Sequence, residues 1–528
     1  MRKDAAVATI GRMTRRLSDL LPSLPAYELA GPADIPITGI AYDSRDVRPG
    51  FLFFALPGLH ADGHDFIDKA LDAGASGVVH SRKPGPPRPG VSYLRVPDSR
   101  FALSPVADAF YGHPSRNLGV VGVTGTEGKS TTVYLIWQLL NLSGARAGFF
   151  STVMSDSGAG EVPNPEHQTT PEANAVHRML ASMRDAGYEY AVVESSSHGL
   201  SPRTNRLGDV AFDVGVMTNV THEHLEFHGT VEQYRHDKAN LFRALDRVDH
   251  RKTIAGREIE VPSFGVVNAD DPVSDLFRRA CRGPVLSFGA ADVPADALAR
   301  EIASDARGAS FEYVEEGSSY PARIELPGEF NVRNALAALL VVSRLRGIPA
   351  RDLLPLLPRL KPVRGRMTVV DKGQDFEVIV DYAHTPSSFQ AILPPLKDRI
   401  PGRMICVFGS GGERDTEKRP LQGRIAAEYC DIVILSDEDP RGEDPMALLE
   451  DIAAGCPGLP RGERLFLIPD RKAAIRKAFA LARPGDLVLL LGKGHENSII
   501  YARGAIPWDE IAEAEAALAE LDHERSAR

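Results

Sequence analysis

Nowhere in this chain do roughly 20 apolar residues run together, the length a helix needs to cross a bilayer, so membrane insertion is not expected. Arg2, Lys3 and Asp4 are followed by no uninterrupted apolar core, so no secretory leader is expected either. Cysteine is scarce. Cys281, Cys406, Cys430 and Cys456 stand far apart with no Cys-x-x-Cys pair, which argues against a disulfide framework or a zinc site and fits a reducing cytoplasm. Positive charge is also in deficit. With 61 Lys and Arg against 71 Asp and Glu, the net charge of -10 and the lack of a basic arm argue against a nucleic-acid-binding surface.

What the chain does have is length and punctuation. Its 528 residues exceed what one core supports, and a division into about three domains is expected. The stretch Leu118 to Leu140 organises the rest. Leu118 to Val123 is a short apolar run suited to a buried strand, a tight glycine-containing turn follows, and Val133, Ile136, Trp137 and Leu140 recur at the spacing of one helix face. A strand, a glycine turn and a helix N-terminus form an anion site, to which Lys129 adds a cation and Ser130 a hydroxyl able to hold Mg²⁺. A bare glycine pair would read as an ordinary turn; Gly128-Lys129-Ser130-Thr131 in this context reads as a nucleotide phosphate site. The general pattern has glycine where Val123 stands, so the loop should be a residue tighter or differently bent. Glu127 is unusual there. A carboxylate about 4 Å from a phosphate is repelled by roughly 1 kcal/mol in water and about 4 at intermediate dielectric, so it should point away or sit near a metal.

Residues 1–113 read as a small mixed α/β domain, with strands at Ile35 to Tyr42, Gly50 to Ala55 and Gly77 to His80 and a helix at Phe66 to Ala73. The proline-rich run Arg82 to Gly90 reads as extended surface chain. In residues 114–362, Ala191 to Val193 delivers Glu194, and Val214 to Met217 leads into a turn holding His222, Glu223, His224, Glu226 and His228. Such polar clusters after buried strands should converge with Lys129 on one rim of a parallel sheet, where Glu194 and the histidines become candidate metal ligands. Residues 363–528 repeat the layout. Four apolar strands there lead to Asp381-Tyr382-Ala383-His384, Gly409-Ser410-Gly411-Gly412-Glu413-Arg414, Ser436-Asp437-Glu438-Asp439-Pro440-Arg441 and Gly492-Lys493-Gly494-His495-Glu496, and an Ala/Glu-rich helix from about Glu510 to Leu521 follows.

Taken in order, these motifs resemble the Mur ligases, ATP-dependent amino-acid ligases of peptidoglycan precursor assembly. The resemblance runs through Asp43-Ser44-Arg45, Gly125 to Thr131, Thr169-Thr170-Pro171, Ser196 to Leu200, His224 to Gly229, Gly328 to Asn334, Gly365-Arg366-Met367, Asp381 to Pro386 and Gly492 to Glu496. It is strongest to the branch that adds the third residue to UDP-N-acetylmuramoyl-L-alanyl-D-glutamate. The resemblance implies three α/β domains: an N-terminal one for the UDP precursor, a central ATPase domain on a parallel sheet, and a C-terminal Rossmann-like one for the incoming amino acid. It implies that Ser44 and the loop Leu59 to Gly63 contact the UDP portion, and that Thr169, Thr170, Ser196 and Arg206 hold the muramoyl dipeptide. Gly125, Thr126, Glu127, Gly128, Lys129, Ser130 and Thr131 would cradle ATP, with Asn331, Asn334, Arg366 and Asp381 completing its pocket. Ser130, Glu194 and His224 would serve two Mg²⁺ ions, and Lys238, carbamylated by CO₂, would add an anionic oxygen ligand that a free ammonium cannot provide. Lys129, Glu194, His224 and Lys238 are thus the implied catalytic set, and Arg414, Glu438, Asp439, Arg441, Gly492 and Glu496 the implied amino-acid pocket.

The implied chemistry is phosphorylation of the substrate's glutamate carboxylate by ATP, then attack of an amine on the acyl phosphate, in a protein expected to be a monomer. Three departures stand out. The family usually has Asn at Glu127 and Thr at Ser130, and the interval from His198 to Arg206 is longer than expected. Third, the amino-acid pocket reads Glu438-Asp439-Pro440-Arg441, where selection of meso-diaminopimelate typically goes with Asp-Asn-Pro-Arg. Arg441 suits a distal carboxylate, Glu438 and Asp439 suit the ammonium of lysine or ornithine, and both alternatives stand at this point. Other ligases of the superfamily, including folylpolyglutamate synthases, and a non-catalytic nucleotide-binding protein are the competing readings.

Overall fold

The computed structural model describes residues 13–58, 61–164, 168–221, 225–291, 293–305 and 307–526. The chain divides into two compact units. The first takes the residues up to Ile302 with Phe311–Arg323 and Val332–Leu360, and the second takes Ala303–Ser310, Ile324–Asn331 and the residues from Lys361 onward.

The first unit opens with strands β1 (Glu28–Ala30), β2 (Gly39–Ala41) and β3 (Phe51–Phe54), helix α1 (Ile67–Asp72), strands β4 (Gly77–His80) and β5 (Ser92–Arg95), and helix α2 (Ser99–Phe110). The sheet runs β1-β5-β4-β3-β2, parallel except for β1 against β5. Alternate residues of β3 face two cores, Leu52 and Phe54 one and Phe53 the other, as period-2 side-chain direction requires. The strand expected over Ile35 to Tyr42 is divided, because Pro36–Ile37 pairs with Arg15–Arg16 whereas β2 pairs with β3. Asp98 caps α2 by accepting the Arg100 and Phe101 N–H groups.

The same unit continues with β6 (Gly119–Thr124), α3 (Lys129–Leu142), β7 (Ala147–Phe150), α4 (Ala173–Asp185), β8 (Tyr190–Glu194), β9 (Val214–Met217), α5 (Val231–Leu245), β10 (Phe264–Asn268) and β11 (Val285–Gly289). They form the parallel part of an eleven-stranded sheet in the order β7-β8-β6-β9-β10-β11. The chain lays β7 and β8 on one side of β6 and then β9 on the other, so the sheet reverses direction at β6, where open α/β sheets bind ligands. A buried ion pair holds the start of this strand: Asp213 accepts from Lys252 Nζ at 2.5 Å and from the Val120 N–H at 2.7 Å. Helix α3 is buried on more than the one face expected. Tyr134, Leu135 and Leu139 join Val133, Ile136 and Leu140 in the interior, because the helix packs on both β7 and β8. Trp137 is only half-buried and donates Nε1–H to the Ala147 carbonyl at 2.8 Å.

Helix α6 (Glu329–Arg346) follows, and the second unit then carries β12 (Glu377–Asp381), α7 (Pro386–Arg399), β13 (Met404–Phe408), α8 (Lys418–Tyr429), β14 (Ile432–Leu435), β15 (Leu465–Leu467), α9 (Arg471–Leu481), β16 (Leu487–Leu491) and α10 (Glu510–Ser526). Its sheet runs β12-β16-β13-β14-β15, all parallel, with the short strand Thr368–Val369 antiparallel at one edge. Residue parity separates two cores: Leu487, Leu489 and Leu491 join Cys406 and Phe408 on one face, while Val488 and Leu490 join Ile405 and Val407 on the other. A sheet covered on both faces needs continuous apolar strands, which is what these runs supply.

Candidate active site

At the carboxyl end of β6, four residues, Gly125 to Gly128, turn the chain into α3. Two of them must be glycine. A Cβ at Gly125 would lie 1.9 Å from Thr218 Oγ1, and one at Gly128, whose φ of 79° is left-handed, would lie 2.7 Å from Asn334 Oδ1. Val123, where the general pattern has glycine, is simply the buried penultimate residue of the strand. The turn is braced from β9's loop: Asn219 accepts the Glu127 N–H at 2.8 Å, and the Glu127 carbonyl accepts from Thr218 Oγ1 at 2.7 Å and Asn219 Nδ2 at 3.0 Å. This bracing holds the backbone of Glu127. Thr126, buried, shares a hydrogen bond with Tyr234 at 3.0 Å, and Lys129 Nζ folds back onto the Thr126 carbonyl at 2.7 Å. Thr131 is half-buried in the first turn of α3.

Glu194 ends β8, next to β6, and is 1% exposed. Its carboxylate accepts from Ser130 Oγ at 2.9 Å, the Thr152 N–H at 2.7 Å and Thr152 Oγ1 at 3.0 Å. A hydroxyl and a carboxylate at a helix N-terminus are hard oxygen donors of the kind Mg²⁺ takes, so this pair fits that ion. Lys238 on α5 is buried and aims at the same loop, its Nζ 2.5 Å from the Gly125 carbonyl and 4.5 Å from the Tyr234 ring centroid. Thr169 Oγ1 accepts from Thr152 Oγ1 at 3.0 Å, Thr170 Oγ1 donates to the Glu194 carbonyl at 2.9 Å and accepts the Ser196 N–H at 3.0 Å, and Ser196 caps a short turn by accepting the Gly199 N–H. Arg206 donates to the Thr170 carbonyl and to Glu172 Oε1, both at 2.8 Å. Ser44 is buried in the turn after β2. His222, Glu223 and His224 lie outside the described residues, as do Leu59 and His60. His228 is a structural clasp, its ring nitrogens 2.8 Å from Asp237 Oδ2 and 3.0 Å from Ser197 Oγ. Among the described residues no group of three His, Cys, Asp or Glu is arranged to hold a metal.

In the second unit the carboxyl ends of β12, β16, β13 and β14 lie side by side and lead into most of the remaining predicted residues. Asp381, buried, accepts the N–H groups of Met367 and Ala383 at 2.7 Å, and burial lifts its carboxyl above the usual range. The Arg366 guanidinium lies 4.5 Å from the Tyr382 ring centroid. Lys493, 0% exposed, is neutralised by Asp439 at 2.9 Å and Glu496 at 2.5 Å. Asp439 also accepts the Ile500 N–H at 2.9 Å and stands 4.0 Å from Arg441 Nη2. Glu438 is buried, its Oε2 has no hydrogen-bond partner among the described residues, and burial raises its affinity for a proton. Gly492 passes so close to it that a Cβ would lie 2.5 Å from that oxygen. Behind them Arg471, fully buried against Glu510, donates to the Asp437 and Leu491 carbonyls and so ties the ends of β14 and β16. Arg414 is exposed on the loop after β13. Asn331 donates to the Pro327 carbonyl at 2.8 Å, and in the first unit Asn334 accepts from Thr132 at 3.1 Å.

Three family models match consecutive stretches of the chain: the Mur ligase family catalytic domain at 36–111, the Mur ligase middle domain at 123–342, and the Mur ligase glutamate ligase domain at 365–494. The chain belongs to the Mur ligase family. It is 50% identical over 521 residues to a UDP-N-acetylmuramyl-tripeptide synthetase of Treponema denticola, covering 94% of this chain and 96% of that one. It is 38% identical over 507 residues to a UDP-N-acetylmuramoyl-L-alanyl-D-glutamate–2,6-diaminopimelate ligase of Geobacillus thermodenitrificans, covering 96% and 99%. A solved structure of a ligase of the latter name superposes with a TM-score of 0.63 at 28% identity over 97% of this chain and 100% of that one. This Mur ligase therefore has the family's three-domain α/β architecture. Its sequence placed Asn219 among the polar residues after a buried strand but did not single out Thr152, Glu172 or Arg471. Thr152 was within reach, since it follows a buried strand on the same rim as Glu194; the others act through contacts between segments far apart in sequence.

Proposed function

We propose that this Mur ligase uses ATP to join a diamino acid to the D-glutamate of UDP-N-acetylmuramoyl-L-alanyl-D-glutamate. The observation that carries the reading is the rim at β6 and β8, where a phosphate loop, the Ser130–Glu194 pair and the Thr169–Thr170 segment meet within a network of direct hydrogen bonds. The names of the relatives at 50% and 38% identity agree with it. The domains are taken as 1–113 for the UDP precursor, 114–362 for ATP and 363–528 for the amino acid.

A carboxylate is a poor acyl donor, so the carboxyl oxygen of the substrate takes the γ-phosphoryl group of ATP and the amine then displaces phosphate. The chain's part is to bind, orient and neutralise. Backbone N–H groups from Gly128 into the first turn of α3, with the helix dipole, receive the phosphates, and Lys129, now resting on the Thr126 carbonyl, swings to them. Ser130, Glu194, His224 and carbamylated Lys238 are the residues that would hold two Mg²⁺ ions, which supply charge neutralisation to the transferring group. Thr169, Thr170, Ser196 and Arg206 orient the dipeptide. In the amino-acid pocket Asp439 is already satisfied by Lys493 and the Ile500 N–H, so Glu438, with an oxygen that has no hydrogen-bond partner among the described residues, is the carboxylate that meets a side-chain ammonium while Arg441 serves a distal carboxylate. Meso-diaminopimelate, L-lysine and L-ornithine are the candidate third residues. The enzyme acts in the cytoplasm, as a monomer. Lys129→Ala should abolish ligation and leave the unfolding midpoint nearly unchanged, since this side chain is only half-buried; near-normal turnover by the variant would refute the role given to the loop.

A further inference from the structure

Arg206 does not stand alone at the dipeptide segment. Glu172 Oε1 accepts from Arg206 Nη2 at 2.8 Å and also from Arg100 Nη1 at 3.0 Å, and Arg100 Nη2 in turn donates to the Pro57 carbonyl at 2.8 Å. Pro57 bridges Asp62, and the Gly58 N–H donates to the Ala61 carbonyl. Glu172 itself lies two residues beyond Thr170, whose carbonyl takes the other arm of Arg206. A single carboxylate, 8% exposed, thus joins a loop of the N-terminal domain to the Thr169–Thr170 segment of the central one. Both bonds are charge-assisted, the stronger kind. Held in this fork, Arg206 keeps a buried Nε–H with no hydrogen-bond partner among the described residues, a donor left for an acidic group of a ligand.

A second contact, from the residue beside Arg206 to the helix that carries Arg100, joins the same two domains. Pro105 lies inside α2 and has no N–H, so the Phe101 carbonyl one turn earlier lacks its helical partner. Asn205, the neighbour of Arg206, donates Nδ2–H to that carbonyl at 3.1 Å from a left-handed backbone with φ of 49°. The proline removes the helical hydrogen bond, and the asparagine replaces it across the domain junction.

We propose that Glu172 is a positioning residue that couples recognition of the UDP end of the precursor to placement of its dipeptide end. Through Arg100 it fixes Pro57, and with it Asp62, relative to Arg206, so that both ends of one long substrate are gripped at a set separation. This inference rests on the functional reading above.

The test is a split of kinetic constants. Glu172→Ala should raise the KM for UDP-N-acetylmuramoyl-L-alanyl-D-glutamate at least about tenfold while the KM values for ATP and the amino acid stay within about twofold. Arg100→Ala, which cuts only the N-terminal arm, should give a selective rise of the same kind, and Glu172→Gln, which keeps an acceptor without the charge, should fall between wild type and Glu172→Ala. Unchanged KM for the precursor in Glu172→Ala and Arg100→Ala, or an equal rise for all three substrates, would overturn the proposal. If the wild-type enzyme fails to turn over the precursor at all, the functional reading falls instead. The coupling is then tested by urea unfolding of Arg100→Ala, Arg206→Ala and the double variant: non-additive changes support the shared carboxylate, and strictly additive ones refute it.

Discussion

Glu194→Gln separates the role of this residue in the fold from its role in the reaction. The substitution preserves shape and replaces one oxygen by an NH₂ donor. In the wild type, Oε2 accepts from Ser130 and the Thr152 N–H, and Oε1 accepts from the Thr152 hydroxyl, which lies 3.0 Å from Thr169 Oγ1. With the amide oxygen placed at Oε2, its two donors remain satisfied, and the Thr152 hydroxyl can rotate to accept from the new NH₂ group. What is lost is the charge assistance of these bonds, about 1–2 kcal/mol of stability. The reaction loses more. A neutral amide is a poor substitute for an anionic oxygen ligand to Mg²⁺, and several kcal/mol of transition-state neutralisation depend on that ion; about 4 kcal/mol corresponds to roughly a thousandfold in rate. The assay is ADP release in the presence of the UDP-dipeptide, a diamino acid and Mg²⁺, alongside a urea titration of each protein. A variant that folds with wild-type stability and keeps more than about a tenth of the turnover would refute the assignment of Glu194 to the metal and phosphate chemistry.

Two further outcomes follow from the same geometry. Lys238→Met should fold, because a flexible apolar chain can occupy the buried channel towards Gly125, but it should not ligate; wild-type enzyme stripped of CO₂ should lose activity and regain it with bicarbonate, and indifference to bicarbonate would remove the carbamate from the account. Burial pushes the Asp437 carboxyl up to about 6, against a smaller opposing effect of the hydrogen bond from Tyr501. A carboxyl that binds its proton more tightly in the folded state stabilises the fold at low pH, and that contribution is lost as pH rises from about 4 through about 6. Asp437→Asn should therefore gain stability relative to wild type between pH 4.5 and 7.5 in denaturant titrations, and a constant difference across that range would contradict the assignment.

The parts of the fold legible in the sequence were those written in local pattern. The continuous apolar strands, the Gly125 and Gly128 turn and the polar residues ending each strand announce two largely parallel sheets, and the structure has both sheets. Boundaries were less legible where pairing decides them: Pro36 and Ala41 belong to different strands because they have different partners, which no local pattern specifies. Helix α3 showed one apolar stripe, yet its other sides are covered as well, and Tyr134 and Leu135 are buried by tertiary context. At the site, Lys129, Ser130 and Glu194 follow from chemistry at strand ends. Lys238 was visible only through the family resemblance, because a lysine in mid-helix carries no sign of the loop it reaches. Thr152 and Glu172 depend on bonds that span 42 and 72 residues, to Glu194 and Arg100 respectively. Arg206 was expected at the dipeptide, but its carboxylate tether was not.

The most direct measurement incubates the purified enzyme with ATP, Mg²⁺ and UDP-N-acetylmuramoyl-L-alanyl-D-glutamate, supplies each amino acid of a panel in turn, and reads the product by mass. The account predicts a UDP-tripeptide carrying one diamino acid, with ATP consumed only when both the UDP-dipeptide and that amino acid are present. ATP turnover that ignores the UDP-dipeptide, or no ligated product with any diamino acid, would contradict it.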